Sequence, residues 1–198
     1  MLLFDKLENQ GLKLILASQS PRRRQLMQDS GLKCDVVCYD VDESYPESLP
    51  SEEVPEFLAH LKGANYPCEL AENEILITAD TVVICQGKIL GKPRNDEHAR
   101  EMLSQISGRK HTVVTGVAIR SAAKSMSFSC QSHVKFAELT TEEIVHYVSH
   151  YRPLDKAGSY GIQEWIGYIG IEGIEGSFYN VMGLPIQRLY TELNKFIG

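Results

Sequence analysis

The run Glu74–Cys85, EILITADTVVIC, constrains the fold of this chain more than any other stretch. Apolar and β-branched residues fill it, and Gln86-Gly87 then offers a tight turn into Lys88-Ile89-Leu90. Such a run reads as a strand buried on both faces, the kind found inside an α/β sheet. One ionisable group, Asp80, stands in its middle, flanked by Ile75, Leu76, Ile77 and by Val82, Val83, Ile84. An ionised carboxylate is too costly to bury alone, so a cation, a metal or hydrogen-bond donors should face it. Asp80 is then either an acid that caps a bulge or pairs with a core arginine, or an acid placed for chemistry.

A second feature lies upstream. Leu14, Ile15, Leu16 and Ala17 read as a short buried strand, and Ser18-Gln19-Ser20-Pro21-Arg22-Arg23-Arg24 follows it. Ser20 suits a helix N-cap, Pro21 the first helical position and Gly31 the stop. A helix opening this way aims free N–H groups and its positive dipole end at whatever precedes it. Three arginines in that first turn oppose the dipole, which is unfavourable unless an anion binds there. The strand, turn and helix therefore read as an anion cradle for phosphates, with a solvated basic turn as the plain alternative.

The remaining pattern gives a mixed α/β fold. Met1 to Gly11 is a polar amphipathic lead-in, and Lys33 to Tyr39 alternates as a strand. Asp40 to Pro50 is an acidic, turn-rich loop that carries Asp42 and Glu43. Ser51 to Tyr66 reads as a helix capped by Ser51, with Phe57, Leu58, Leu61 and Ala64 as its apolar stripe and Lys62 off that stripe. A helix capped by Asp96 repeats Ala99, Met102, Leu103 and Ile106, and Gly108 ends it. His111 to Arg120 and Met126 to Glu138 alternate as two long strands, and Thr140 with Glu143 makes a capping box for a helix to about His150. Trp165 to Gly176, with glycine at every third position, is expected as a loop or twisted hairpin, and Phe178 to Met182 as a last strand. Pro185 opens a final helix with one strong apolar face. Strands alternate with helices at first and then run together, so the sheet is mixed and flanked by helices. Residues 1–12 form the lead-in and 13–198 a single domain.

Charge and cysteine usage limit the function. A net charge of -6 over 198 residues argues against broad binding to nucleic acid or an anionic membrane, while leaving room for a local basic pocket. The acidic balance and an aromatic content of 8% also weigh against a base-specific RNA-binding module. No apolar run is long enough to span a bilayer and no leader pattern opens the chain. The five cysteines, Cys34, Cys38, Cys68, Cys85 and Cys130, include no CxxC pair and read as reduced core thiols of a cytoplasmic protein. No histidine belongs to a triad or metal pattern, so Ser18 and Ser20 are not nucleophiles of the Ser–His type. GxGxxG and GxxxxGK[ST] are both absent, which disfavours dinucleotide and P-loop chemistry.

Five stretches, in order, carry a resemblance. Ser18-x-Ser20-Pro21-Arg22-Arg23 resembles the opening signature of the Maf-like nucleotide pyrophosphatases. Ala79-Asp80-Thr81, Gly91-Lys92-Pro93, Asp155-Lys156-Ala157-Gly158-x-Tyr160-Gly161-Ile162-Gln163 and Asn180-Val181-x-Gly183-Leu184-Pro185 match in turn. The resemblance runs from Lys13 to the final helix. It implies an elongated, two-lobed Maf/ITPase-like fold with an active cleft between the lobes, usually as a homodimer. It implies metal-dependent hydrolysis of a nucleoside triphosphate to the monophosphate and pyrophosphate, with Mg²⁺ or Mn²⁺ as cofactor.

On this resemblance Asp80 is the catalytic carboxylate, and Glu43, Asp80 and Asp155 are the metal ligands. The substrate-binding positions are Ser18, Ser20, Arg22, Arg23, Lys62, Thr81, Lys92, Lys156 and Gln163. Arg22, Thr81 and Gln163 match the positions tied to base choice in the branch acting on dTTP and UTP. The branch acting on methylated guanine nucleotides carries Gln and Glu where this chain has Thr81 and Gln163. Glu164 stands where the family usually has glycine, and Leu61 where an acid often precedes the lysine. The rival class is a non-catalytic nucleotide-binding regulator of cell division, which would keep the arginines but need no Asp80 in a strand.

Overall fold

The computed structural model describes residues 1–198. In chain order the elements are α1 (Leu3–Asn9), β1 (Lys13–Ala17), α2 (Pro21–Asp29), β2 (Cys34–Val37), α3 (Val54–Ala64), β3 (Glu74–Cys85), β4 (Lys88–Leu90) and α4 (Asp96–Ile106). There follow β5 (Lys110–Arg120), β6 (Ser125–Phe136), α5 (Thr141–Tyr151), a short 3₁₀ turn (Ala157–Ser159), α6 (Trp165–Gly170), β7 (Ile171–Glu175), α7 (Phe178–Met182) and α8 (Ile186–Ile197). The seven strands form one mixed sheet in the order β2-β1-β3-β5-β6-β7, with β4 paired to β3. β1 runs parallel to both β2 and β3, whereas β3–β4 and β6–β7 are antiparallel.

The chain divides into two compact units, the first made of Met1–Asp80, Thr115–Cys130 and Gly183–Gly198, the second of Thr81–Val114 and Gln131–Met182. The first holds the β1–β3 register, in which Leu14 to Ala17 lie opposite Ile75 to Thr78. Burial of Leu14, Ile15, Leu16, Leu76 and Ile77 removes a large apolar area from water, each side chain contributing about 1.5–3 kcal/mol. The lead-in is an ordered helix: Leu3 and Leu7 of α1 are buried, and the Leu3 N–H donates to the Tyr190 hydroxyl on α8 at 3.0 Å. The second unit has its own core, with Val83, Leu103, Ile106, Phe136, Tyr147 and Ile166 among its buried members.

Several local expectations shift. α3 begins at Val54, and Ser51 to Glu53 form a turn ahead of it. Pro55 explains this, because proline is tolerated only in a helix's first turn. Its buried stripe is Val54, Pro55, Leu58, Ala59 and Gly63, while Phe57 and Ala64 face outward. That rotation puts Lys62 on the inward side. Asn95 caps α4, its Oδ1 accepting from the His98 N–H at 2.8 Å. Trp165–Gly176 is a helix followed by a strand, and Phe178–Met182 is a helix. At Gly167 any Cβ would lie 1.9 Å from the Ile162 carbonyl oxygen, so glycine permits α6 to pack directly on that backbone. Among the cysteines Cys85 alone is fully buried, and Cys38 and Cys68 are exposed. No helix is long and apolar enough to cross a membrane.

Candidate active site

Ser20 caps α2 as its sequence indicates, its hydroxyl accepting from the Arg23 N–H at 3.5 Å with Pro21 in the first turn. The Ser18 hydroxyl accepts from the Ser20 N–H at 3.1 Å. Both serine hydroxyls thus act as acceptors for the turn while keeping an O–H to donate. Arg23 turns inward: its Nε donates to the Gly183 carbonyl at 2.7 Å and its Nη1 to the Ala79 carbonyl at 2.8 Å. Burial pulls its pKa below the usual guanidinium value, opposed by the nearby Asp80 carboxylate. Arg24 reaches back to the Ser18 carbonyl at 3.2 Å, and Arg22 is half-buried beside them.

β3 carries Asp80 out of the core at the point where burial is interrupted, its side chain 14% exposed. The Lys62 ammonium meets it: Nζ lies 2.7 Å from Asp80 Oδ1 and 2.9 Å from Glu43 Oε1. Lys62 is 18% exposed and Glu43, on the acidic loop, 55% exposed. The backbone under Lys62 is fixed from three sides. The Thr78 hydroxyl donates to the Ala59 carbonyl at 2.6 Å and so docks α3 on β3. At the helix's C-terminal end the Tyr39 hydroxyl donates to the Lys62 carbonyl at 2.6 Å and the Arg120 Nη1 to the Gly63 carbonyl at 2.7 Å. These two groups satisfy carbonyls that the helix leaves open. Burial, and then Tyr66, push the Tyr39 hydroxyl up to about 12, so it stays a donor.

The second unit gathers a different cluster. Lys156 is 8% exposed, and its Nζ lies 2.7 Å from Asp155 Oδ1 and 3.1 Å from Glu164 Oε1. The Tyr147 hydroxyl on α5 donates to Glu164 Oε2 in a short hydrogen bond and accepts from the Gly161 N–H at 3.0 Å. Desolvation, and then the Glu164 carboxylate, raise the pKa of Tyr147 above its usual value. Gly158, in the left-handed region at φ 66°, packs on Val83 and donates to the Gly91 carbonyl at 3.1 Å. The loop from Asp155 to Gln163 is therefore anchored at several points along its length. At its end the Gln163 Oε1 is buried without a hydrogen-bond partner, an acceptor left open. Thr81 is half-buried and Lys92 is exposed.

The sequence matches the family of Maf-like proteins over residues 13–196. The chain belongs to the Maf-like proteins. Among curated relatives of this Maf-like chain, a dTTP/UTP pyrophosphatase of Phocaeicola vulgatus is 51% identical over 184 residues, which is 92% of this chain and 95% of the relative. A protein of the same name from Parabacteroides distasonis is 53% identical over 187 residues, covering 93% and 96%. Among solved structures the Ham1 protein of Staphylococcus aureus aligns over 93% of this chain and 99% of its own, with a TM-score of 0.51 and 17% identity. That likeness concerns the fold alone.

Of the expected Maf positions, Glu43, Lys62 and Asp80 meet through one ammonium, and Arg23 lies near them through Ala79. Asp155 and Lys156 meet each other in the second unit. No group of three or more His, Cys, Asp or Glu is gathered as a protein-only metal cage. Glu43 and Asp80 nevertheless suit Mg²⁺ or Mn²⁺, hard ions held through one or two carboxylates with phosphate and water completing the shell. The sequence reading missed Tyr147, Glu164 and Arg120. Glu164 left one trace, an acid where the family usually has glycine; Tyr147 and Arg120 left none, since their partners are remote in sequence.

Proposed function

We propose that this chain hydrolyses pyrimidine nucleoside triphosphates, dTTP and UTP and modified analogues of them, to the nucleoside monophosphate and pyrophosphate, a housecleaning role in the nucleotide pool. One observation carries the reading. Asp80 stands where the burial of β3 is interrupted, its side chain only slightly open to water, with Lys62 Nζ at 2.7 Å and the Arg23 guanidinium on the adjoining carbonyl. The names of relatives 51% and 53% identical to this chain support the substrate assignment.

Asp80 accepts the proton of a water whose oxygen attacks the α-phosphorus. The new O–P bond forms as the bond from the α-phosphorus to the bridging oxygen breaks, and pyrophosphate departs with that electron pair. Arg22 and Lys62, with the hydroxyls of Ser18 and Ser20 and the N-terminus of α2, meet the charge on the phosphate oxygens. Lys92 and Lys156 are the phosphate-binding cations that the second unit offers. Arg23 adds positive field while its N–H groups brace Gly183 and Ala79. Glu43 and Asp80, which meet at the Lys62 ammonium, would hold the divalent ion. When bound, that ion neutralises phosphate charge and polarises the P–O bonds. The open Gln163 acceptor and its NH₂ match the N3–H and carbonyl edge of uracil or thymine, with Thr81 as a partner in base choice.

We further place the protein in the cytoplasm, which suits five unpaired cysteines, two of them exposed. A homodimer suits the exposed apolar side chains of Tyr168, Ile169, Phe178 and Tyr179. Replacing Asp80 with Asn keeps shape and removes the base. Metal-dependent pyrophosphate release from dTTP and UTP should fall by about 10²-fold or more while nucleotide binding persists. Release by D80N at the wild-type rate would remove Asp80 from the mechanism.

A further inference from the structure

We propose that Lys62 is the placeholder for the divalent cation: its ammonium occupies the position between Glu43 and Asp80 and must leave before a metal can enter. This rests on the metal-dependent reading above. Nζ sits 2.7 Å from Asp80 Oδ1 and 2.9 Å from Glu43 Oε1. A magnesium-sized ion would take those same oxygens at about 2.0–2.2 Å, too close to the ammonium for both to remain. Two cations at such a separation also repel strongly in a partly desolvated site.

The surroundings decide which group moves. Asp80 is fixed in β3, and the α3 backbone is held by Thr78, Tyr39 and Arg120. Arg23 is committed to two carbonyls. The four-carbon stem of Lys62 has free rotation and Glu43 stands on an exposed loop, so exchange needs a rotamer change and no helix movement. The charge of the pair is thereby compensated before metal arrives, which avoids two unpaired carboxylates side by side. Once displaced, the ammonium is released toward phosphate oxygens. The same lysine therefore weakens metal binding to the free protein and favours it when a triphosphate is present to receive the ammonium.

The test uses the full chain and Mn²⁺ alone, without nucleotide, following free Mn²⁺ by electron paramagnetic resonance. K62M should bind Mn²⁺ at least about tenfold more tightly than the wild type, since a competing cation has been removed. Adding D80N to K62M should abolish the gain, which places the ion at Asp80. In the unaltered protein, saturating Mg²⁺ should raise the rate at which an amine-acylating reagent labels Lys62, read by mass spectrometry. This second measurement needs no variant to fold. Equal or weaker Mn²⁺ binding by K62M, or Lys62 labelling that is unchanged or slowed by Mg²⁺, overturns the proposal. Neither readout depends on turnover. Tighter Mn²⁺ binding by K62M with no hydrolysis of dTTP by the unaltered protein would sink the proposed function and spare the placeholder, and hydrolysis by the unaltered protein without tightening in K62M would do the reverse.

Discussion

Arg23 illustrates how one side chain can serve the fold and the chemistry together. Its Nε and Nη1 tie the start of α2 to Gly183, at the entry to α8, and to Ala79, the residue before Asp80. Gly183 has φ 110°, so the carbonyl that Arg23 uses is presented by a backbone that favours glycine. Replacing Arg23 with Met leaves two inward carbonyls without their donors. Each such loss typically costs about 1–3 kcal/mol, so R23M should unfold at lower denaturant than D80N, by about 3 kcal/mol in total. Equal stability of the two variants in urea titrations would show that the bracing role is absent. Arg23 could be picked out of the sequence as basic and placed beside a helix start. Its partners could not, because Gly183 lies 160 residues away.

At the scale of elements, legibility followed how local the determining physics is. β3 and β4 stand where the apolar run and the Gln86-Gly87 turn place them, and the two turn residues have φ of 51° and 75°. The α5 capping box is likewise present as its sequence dictates. The α3 sequence predicts an apolar stripe through Phe57 and Ala64, whereas Pro55 and Gly63 are buried and Phe57 faces outward. The inward face is set by close packing: Gly63 lies against the Thr78 hydroxyl. Glycine at every third position predicts a loop or twisted hairpin over Trp165 to Gly176, whereas α6 forms there, because Gly167 lets the helix pack on the Ile162 backbone. The Asp155–Gln163 loop shows what sequence motifs omit. Its conformation depends on Tyr147 from α5 and on Glu164, which hold Gly161 and Lys156 respectively. Y147F removes the donor to Glu164 and the acceptor of the Gly161 N–H, and E164Q removes the ion pair with Lys156. Both should raise KM for dTTP by about tenfold, or ~1.4 kcal/mol, with a smaller change in kcat. They should also narrow the preference for dTTP and UTP over CTP, because Gln163 adjoins the loosened segment. Steady-state rates on those three nucleotides check this, and an unchanged KM would show that the loop holds itself.

For the molecule as a whole, the five motifs are distributed over both compact units, and the division between units falls after Asp80. Stability therefore has to be maintained in each unit's own core. In the second, one ionisable group is a liability at acid pH. His111 is buried on β5, its Nε2 2.8 Å from the Tyr160 hydroxyl and its ring packed near Phe136, with Nδ1 lacking any partner. Desolvation lowers its pKa from 6.5 to about 4. The unfolded chain therefore binds a proton between those two values that the folded chain refuses. His111 costs nothing above pH 6.5, and stability drains away as pH falls toward 4, by about 3 kcal/mol at ~1.4 kcal/mol per unit of pKa shift. H111Q cannot titrate, so its urea-unfolding free energy should fall less steeply over that interval than the wild type's. Carboxylates titrate in both proteins and cancel in the comparison. Parallel stability curves for wild type and H111Q from pH 7.5 to pH 4.5 would mean that the imidazole accepts its proton without cost, and that the burial around Tyr160 opens to water before the fold is lost.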